Sequence, residues 1–196
     1  MKVGIIGTGM MGKCHCLAFK AVKGVFTDVV KPKLEVICDI DEKSALRKAE
    51  EFDFARVSTD WRDVVSDQEI DLVSIAAPNR FHREISVAAL AAGKHVYCEK
   101  PMASRLEDAE AMAEEARRSD RVTLLGYNFA QNPILFTRNA LLRKERLGRY
   151  STIGARTTRI TTPIPTFLGL GAIPRAKPVW VFWAILHATS FQLPTY

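Results

Sequence analysis

The chain has 196 residues, of which 47% are hydrophobic and 26% are charged, so it can bury a core and global disorder is not expected. The basic residues behind its net charge of +6 are interleaved with acidic ones, which argues against nucleic acid as a partner. The longest apolar stretch, residues 179–186, is far shorter than the roughly 20 residues of a membrane span. The four cysteines lack the spacing of zinc ligands or of a disulfide framework, so we expect reduced thiols and no metal. Together these features predict a cytoplasmic protein without membrane association.

Short apolar runs alternate with segments of helical period over the first 125 residues. The predicted strands are Lys2–Ile6, 34–38, 55–58, 71–76, His95–Cys98 and 122–125. The predicted helices cover residues 10–22, 42–51, a segment from about residue 60, 81–92 and 104–119. Short, continuously apolar strands are typical of a sheet that is buried on both faces, and strict β-α alternation implies parallel pairing. The sequence therefore predicts an α/β, doubly wound parallel sheet, the Rossmann fold, over residues 1–125.

A glycine-rich loop joins the first strand to the first helix. Its pattern is G-x-G-x-x-G, formed by Gly7, Thr8, Gly9, Met10, Met11 and Gly12. In this pattern Gly7 permits the tight turn, Gly9 lets the backbone approach a pyrophosphate, and Gly12 allows close packing of helix on strand. The N-terminus of the helix adds free N–H groups and a partial positive charge. Because a strand precedes the loop and a helix follows it, the pattern predicts a dinucleotide site.

An acidic residue, Asp39, ends the second predicted strand. A carboxylate in this place accepts hydrogen bonds from the ribose hydroxyls and repels a 2′-phosphate, which favours NAD over NADP as cofactor. Its distance from the glycine loop exceeds the usual spacing because residues 24–33 form an insertion before the strand. Asp41 is the rival candidate, and capping of the following helix is the alternative role for either residue.

Three further motifs follow in order. They are the run from Ala76 through Ala77, Pro78, Asn79, Arg80 and Phe81 to His82; Glu99-Lys100-Pro101; and Gly126-Tyr127-Asn128-Phe129. Together with the glycine loop, they resemble the Gfo/Idh/MocA oxidoreductases, a family with sugar, anhydrosugar and cyclitol dehydrogenases, from residue 1 to about residue 158. The resemblance implies that Ala77, Pro78, Asn79, His82 and Asn128 contact the cofactor, with Pro78, Asn79 and His82 on its nicotinamide side. It also implies that Glu99-Lys100-Pro101 bridges cofactor and substrate.

The same resemblance makes Lys100 the catalytic lysine and implies a cis peptide bond before Pro101. A fixed ammonium group can orient a substrate hydroxyl and stabilise the negative charge that develops on its oxygen. Two positions keep alternatives open: His82 could instead cap its helix, and Trp61 either lies near the adenine or packs as a core aromatic. Relatives often carry arginine where this chain has Ala130 or Gln131, which weakens the expectation for part of the substrate contact.

Beyond residue 125 we expect the start of a second, α+β domain over residues 126–159, with a helix at 133–146 and a strand at 150–157. The composition then changes, since no acidic residue follows Glu145. We interpret residues 160–196 as an out-of-frame tail. In the shifted frame, each new codon consists of the last base of one codon and the first two bases of the next. Read in this way, Trp180–Ala184 translate as Gly-x-Leu-Gly whichever synonymous codons are used, because tryptophan has a single codon. The next codons permit Asp-x-x-x-His, which is the family's second-domain motif, so His187 is not assigned a catalytic role.

The expected activity is hydride transfer between NAD(P) and a secondary hydroxyl of a sugar, anhydrosugar or cyclitol. With the second domain's base lost, the chain is expected to bind the dinucleotide weakly and turn over poorly. Two alternatives stay open: a non-catalytic NAD(P)-binding sensor or subunit, and an S-adenosylmethionine-dependent methyltransferase, against which Glu99-Lys100-Pro101 argues. A homo-oligomer is expected for full-length members of the family.

Overall fold

The fold is described from a computed structural model, which covers residues 1–25 and 29–127. Six strands form one parallel sheet: β1 (Lys2–Ile6), β2 (Lys33–Cys38), β3 (Arg56–Ser58), β4 (Leu72–Ile75), β5 (His95–Cys98) and β6 (Thr123–Leu125). Five α-helices connect them: α1 (Met10–Val25), α2 (Glu42–Phe52), α3 (Trp61–Ser66), α4 (His82–Ala91) and α5 (Leu106–Arg118). A 3-10 turn, Asn79–Phe81, precedes α4. The predicted alternation of strands and helices is confirmed.

The strand order is β3-β2-β1-β4-β5-β6, and every neighbouring pair is parallel. The order reverses direction between β1 and β4, so the loops that follow these two strands diverge and leave a crevice at the carboxyl edge of the sheet. Ligands of open α/β sheets bind in this crevice. The fold thus places the glycine loop after β1 beside the Ala76–Ala77 segment after β4. The doubly wound Rossmann fold predicted from the sequence is confirmed.

The core lies on both faces of the sheet because strand side chains alternate in direction. On one face Val3 and Ile5 of β1 pack with Phe19 and Val22 of α1. On the other face Val73 and Ile75 of β4 pack with helices that include α4 and α5, which contribute the buried side chains of Ile85, Ala89, Leu90 and Met112. Burial on both faces explains why the strands contain few polar residues. The polar residues of the strands that are buried, Glu35 and Ser74, therefore need partners within the fold.

Several of the predictions concern residues outside the described part of the chain: Asn128, the helix predicted at 133–146, the strand predicted at 150–157 and the tail at residues 160–196. Within 1–25 and 29–127, no helix is long and apolar enough to cross a membrane. Nor does this part of the chain bring three or more His, Cys, Asp or Glu side chains together in a way that could hold a metal ion.

Candidate dinucleotide-binding site

The glycine loop turns sharply between β1 and α1. Gly7 has a φ of +104°, and a Cβ atom there would lie 2.6 Å from the carbonyl oxygen of Ala76. A Cβ atom on Gly12 would lie 2.0 Å from the carbonyl oxygen of Gly7, so the first turn of α1 can pack on the loop only with glycine at this position. The turning and packing roles predicted for Gly7 and Gly12 are therefore confirmed.

Gly9, by contrast, faces open space, since a Cβ atom there would meet no atom of residues 1–25 and 29–127 within 4 Å. Helix α1 begins immediately after it, at Met10, and the first N–H groups of a helix have no partner within the helix. The loop therefore presents bare backbone and free N–H groups to the crevice. This arrangement can hold an anionic group such as a pyrophosphate.

Asp39 follows β2 and points towards the glycine loop. Its Oδ2 accepts hydrogen bonds from the Thr8 N–H at 2.8 Å and from the Thr8 hydroxyl at 2.6 Å. Since the Thr8 hydroxyl donates its hydrogen to Asp39, the Ser44 hydroxyl 2.7 Å away donates to Thr8. These contacts fix the Asp39 carboxylate beside the glycine loop before any ligand arrives.

The Asp39 carboxylate is also held in its ionised form. Partial burial works to raise the pKa of Asp39, but hydrogen bonds from the Thr8 hydroxyl and from the N–H groups of Asp41, Thr8 and Ile40 outweigh it and lower the pKa below the usual value. The rival residue has a different place: Asp41 is the N-cap of α2, and its Oδ1 accepts a hydrogen bond from the Lys43 N–H at 3.1 Å.

A cavity of about 710 Å³ opens at this edge of the sheet. Seven of the residues singled out as cofactor contacts line it: Gly7, Gly9, Met10, Met11, Asp39, Ala77 and Pro78. Its wall adds residues that were not predicted as cofactor contacts, among them Ile40, Arg62, Arg80 and Phe81, and it includes Trp61. The Arg62 guanidinium lies 4.6 Å from the centre of the Trp61 ring. Trp61 thus forms part of a cavity wall and is half-buried.

Asn79 and His82 do not line this cavity. His82 is the first residue of α4 and is fully buried. Its Nδ1 lies 2.9 Å from the carbonyl oxygen of Pro101, and its Nε2 lies 2.9 Å from the carbonyl oxygen of Ala77. A neutral imidazole carries one N–H, so His82 donates at least one of these hydrogen bonds. The ring therefore joins the loop after β4 to the loop after β5.

The Glu99-Lys100-Pro101 motif begins directly after β5, and its peptide bond between Lys100 and Pro101 is cis, as the resemblance implies. Its charged residues face opposite ways, because Glu99 is buried and Lys100 is exposed. The Glu99 carboxylate contacts His15 of α1, a residue that the motifs did not identify. The sequence feature that could have identified His15 is its place on the buried face of α1, one turn beyond Gly12.

Comparison with known proteins agrees with this geometry. The model of a family described as an oxidoreductase family with an NAD-binding Rossmann fold, GFO_IDH_MocA, matches residues 1–127. The chain belongs to this family. The part described here is therefore an NAD-binding Rossmann domain, as the resemblance implied.

Individual relatives match over a longer stretch. Levoglucosan dehydrogenase of Pseudarthrobacter phenanthrenivorans is 35% identical over 150 residues, which are 76% of this chain and 38% of the relative. Inositol 2-dehydrogenase 2 of Saccharopolyspora erythraea is 31% identical over 76% of this chain and 42% of the relative. A solved structure of levoglucosan dehydrogenase in complex with NADH and L-sorbose matches with a TM-score of 0.72 and 35% identity, over 76% of this chain and 40% of that one. The chain thus spans about two fifths of the length of these relatives.

Proposed function

We propose that this protein is the NAD-binding part of a dehydrogenase that oxidises a secondary hydroxyl of a sugar, anhydrosugar or cyclitol. The observation that carries the proposal is the cavity at the carboxyl edge of the sheet, with an open glycine loop at one wall and an ionised Asp39 at another. The substrate class follows from the relatives, which are named as levoglucosan and inositol dehydrogenases.

Each part of the dinucleotide has a matching surface in this proposal. The bare backbone at Gly9 and the first N–H groups of α1 bind the pyrophosphate. Asp39 accepts hydrogen bonds from the ribose hydroxyls, and its charge disfavours the 2′-phosphate of NADP. The adenine packs between the side chains of Ile40 and Trp61, of which Ile40 is 91% exposed and therefore available for contact. Ala77, Pro78 and Asn79 lie on the nicotinamide side.

Lys100 is the residue that contacts the substrate in this proposal. NAD, when bound, supplies the hydride acceptor. Hydride leaves a carbinol carbon only as the hydroxyl proton departs to a base, which in this proposal is the histidine of the second domain's Asp-x-x-x-His motif, so negative charge develops on the substrate oxygen. The exposed ammonium of Lys100 orients this oxygen and stabilises its charge. Asn128, which lies outside the described residues, is proposed as a further cofactor contact.

The cofactor site is tested by calorimetric titration of the 196-residue protein with NADH. We expect Asp39→Ala to weaken NADH binding about 10- to 100-fold, because hydrogen bonds to a charged group contribute about 1.5–3 kcal/mol each. Asp41→Ala is the matched control, since Asp41 caps α2 and does not line the cavity. It is expected to change the affinity less than about threefold, because a lost cap acts mainly on helix stability. Failure of folded protein to bind NADH at millimolar concentration would contradict the proposal.

We also propose that residues 160–196 are read out of frame, on the strength of the forced Gly-x-Leu-Gly pattern and the permitted Asp-x-x-x-His. The test compares the gene that encodes these 196 residues with a gene in which the second frame is restored and continued, in a dehydrogenase screen over sugars and cyclitols. We expect the 196 residues alone to reduce NAD at no more than a trace rate, and the restored protein to be active. A non-catalytic NAD-binding sensor would gain no activity, and neither would a protein whose tail is in its true frame.

A further inference from the structure

A buried polar cluster lies beneath Lys100 and is formed by Ser74, His15 and Glu99 from three different elements. The Nδ1 atom of His15 lies 2.8 Å from the Ser74 hydroxyl, and its Nε2 atom lies 3.0 Å from the Oε1 atom of Glu99. His15 and Ser74 are fully buried, and Glu99 is 5% exposed. None of the three lines the dinucleotide cavity, so the cluster needs an explanation other than direct contact with the cofactor.

The hydrogen-bond directions in this cluster follow from the charge on Glu99. Burial works to raise the pKa of Glu99, but the hydrogen bond and charge of His15, together with the Lys100 N–H and ammonium, outweigh it and lower the pKa. Glu99 is therefore a carboxylate, which can only accept, so the Nε2 atom of His15 carries a hydrogen and donates it. The Ser74 hydroxyl can donate to the Nδ1 atom of a neutral ring and accept from the Nδ1–H of a protonated one. The ring also stacks on Tyr97, with centroids 4.7 Å apart, which fixes its plane.

The second oxygen of Glu99 reaches the backbone of the catalytic lysine. Its Oε2 atom accepts a hydrogen bond from the Lys100 N–H at 3.1 Å. Gly126 closes the other side, where a Cβ atom would lie 2.8 Å from the Oε1 atom of Glu99. The carboxylate is thus held by a histidine, a backbone amide and a glycine surface. Apart from His15, the titratable groups that interact with it in the described part of the chain include Lys100 and Cys98, the last residue of β5.

We propose that His15 and Glu99 are positioning residues, which fix the backbone of Lys100 and connect it to α1, the helix whose N-terminus receives the pyrophosphate. This inference rests on the proposed role of Lys100. The cluster resembles a hydroxyl-histidine-carboxylate triad, but Ser74 is fully buried and hydrogen-bonds Nδ1, not the Nε2 atom that serves a nucleophile. A positioning role accounts for the burial, the fixed ring and the contact with the Lys100 N–H together.

The experiment measures two quantities by NMR in the 196-residue protein: the titration midpoint of the Glu99 carboxyl carbon and the exchange rate of the Lys100 amide hydrogen. In His15→Leu the burial of Glu99 persists without its hydrogen bond, so we expect its midpoint to rise by about one pH unit. We expect Lys100 amide exchange to accelerate on the order of tenfold, while the amides of Ile5 and Val73 keep their rates. His15→Gln, whose amide can still donate to Glu99, restores both values.

Ser86→Ala is the matched control, since Ser86 is also a buried serine but belongs to α4, and the hydrogen bonds of His15 in the described residues go to Ser74 and Glu99 instead. It changes neither quantity. If His15→Leu does not fold, His15→Asn replaces it, because its shorter side chain cannot reach Glu99. Unchanged Glu99 titration in the leucine or asparagine variant, or equal effects of leucine and glutamine, would overturn the proposal. Added NADH should slow the exchange of the Lys100 amide hydrogen in the unaltered protein. If NADH does not bind, the proposed function is contradicted, whereas the titration of Glu99 still decides whether His15 and Glu99 are positioning residues.

Discussion

Gly9 and Gly12 belong to one loop, yet an added methyl group would meet entirely different surroundings at the two positions. At Gly12 it would collide with the Gly7 carbonyl oxygen, which is backbone and cannot move aside without shifting β1 or α1. At Gly9 it would meet no neighbouring atom of the described part of the chain and would occupy the space proposed for the pyrophosphate. Gly12 thus meets a requirement of folding, whereas Gly9 meets a requirement of the proposed binding site.

This contrast predicts the behaviour of two matched alanine variants. Gly12→Ala should lower the free energy of unfolding by about 1–3 kcal/mol or more, because overpacking forces backbone to move. Gly9→Ala should change that free energy by less than about 0.5 kcal/mol, as surface substitutions do, but should weaken NADH binding at least about tenfold. Urea unfolding and calorimetric titration provide the two measurements. A destabilised Gly9→Ala protein, or one that binds NADH normally, would show that the open side of the loop is not the pyrophosphate site.

At the scale of elements, the sequence predicted every strand and helix of the described part to within a few residues. Apolar strands and amphipathic helices leave strong patterns, and the glycine loop fixes the first strand and helix in order. The ends were less accurate. The helix predicted from residue 81 is a 3-10 turn followed by α4, and α1 continues to Val25, beyond the predicted end at residue 22. Local pattern does not decide such ends, because tertiary contacts of the flanking loops contribute to them.

The candidate site was less predictable than the fold, for a physical reason. The motifs identified residues whose types are required locally, such as Gly7 and Asp39. They did not identify His15 or Ser74, whose role exists only because α1, β4 and β5 meet in three dimensions. A polar residue inside an otherwise apolar strand, as Ser74 is, does indicate a buried partner. It does not indicate which residue that partner is.

Considered as a whole, the domain keeps the charges proposed to act on cofactor and substrate and its largest ion-pair network on opposite edges of the sheet. Asp39 and Lys100 follow β2 and β5 at the carboxyl edge, and the amino edge holds a network centred on Glu35 of β2. Glu35 is 5% exposed, and its carboxylate lies 2.9 Å from the Lys33 ammonium, 3.8 Å from that of Lys2 and 3.6 Å from the Arg56 guanidinium. Arg56 in turn pairs with Asp67. Changes in this network can therefore alter stability without altering the cofactor site.

The Glu35 network predicts a specific dependence of stability on pH. The hydrogen bond from Lys33 lowers the pKa of Glu35, and although burial opposes it, the charges of Lys2, Lys33 and Arg56 add to the lowering. Since the unfolded chain then takes up a proton at higher pH than the folded protein, the stability that Glu35 contributes is present above about pH 5. It is lost as the pH falls through the lowered pKa. Glu35→Gln should therefore lower the free energy of unfolding at pH 7 by about 1 kcal/mol and leave NADH affinity unchanged.

The measurement is urea unfolding of both proteins at a series of pH values from 7 to 3. The difference between them should stay constant from pH 7 to about pH 5 and shrink below it towards pH 3, because protonated Glu35 and glutamine are both uncharged. Glu107→Gln removes the same charge from an exposed position whose partner, Arg105, is also at the surface, so it should produce no such trend. A difference that stays constant down to pH 3 would mean that Glu35 acts through its shape and not through its charge.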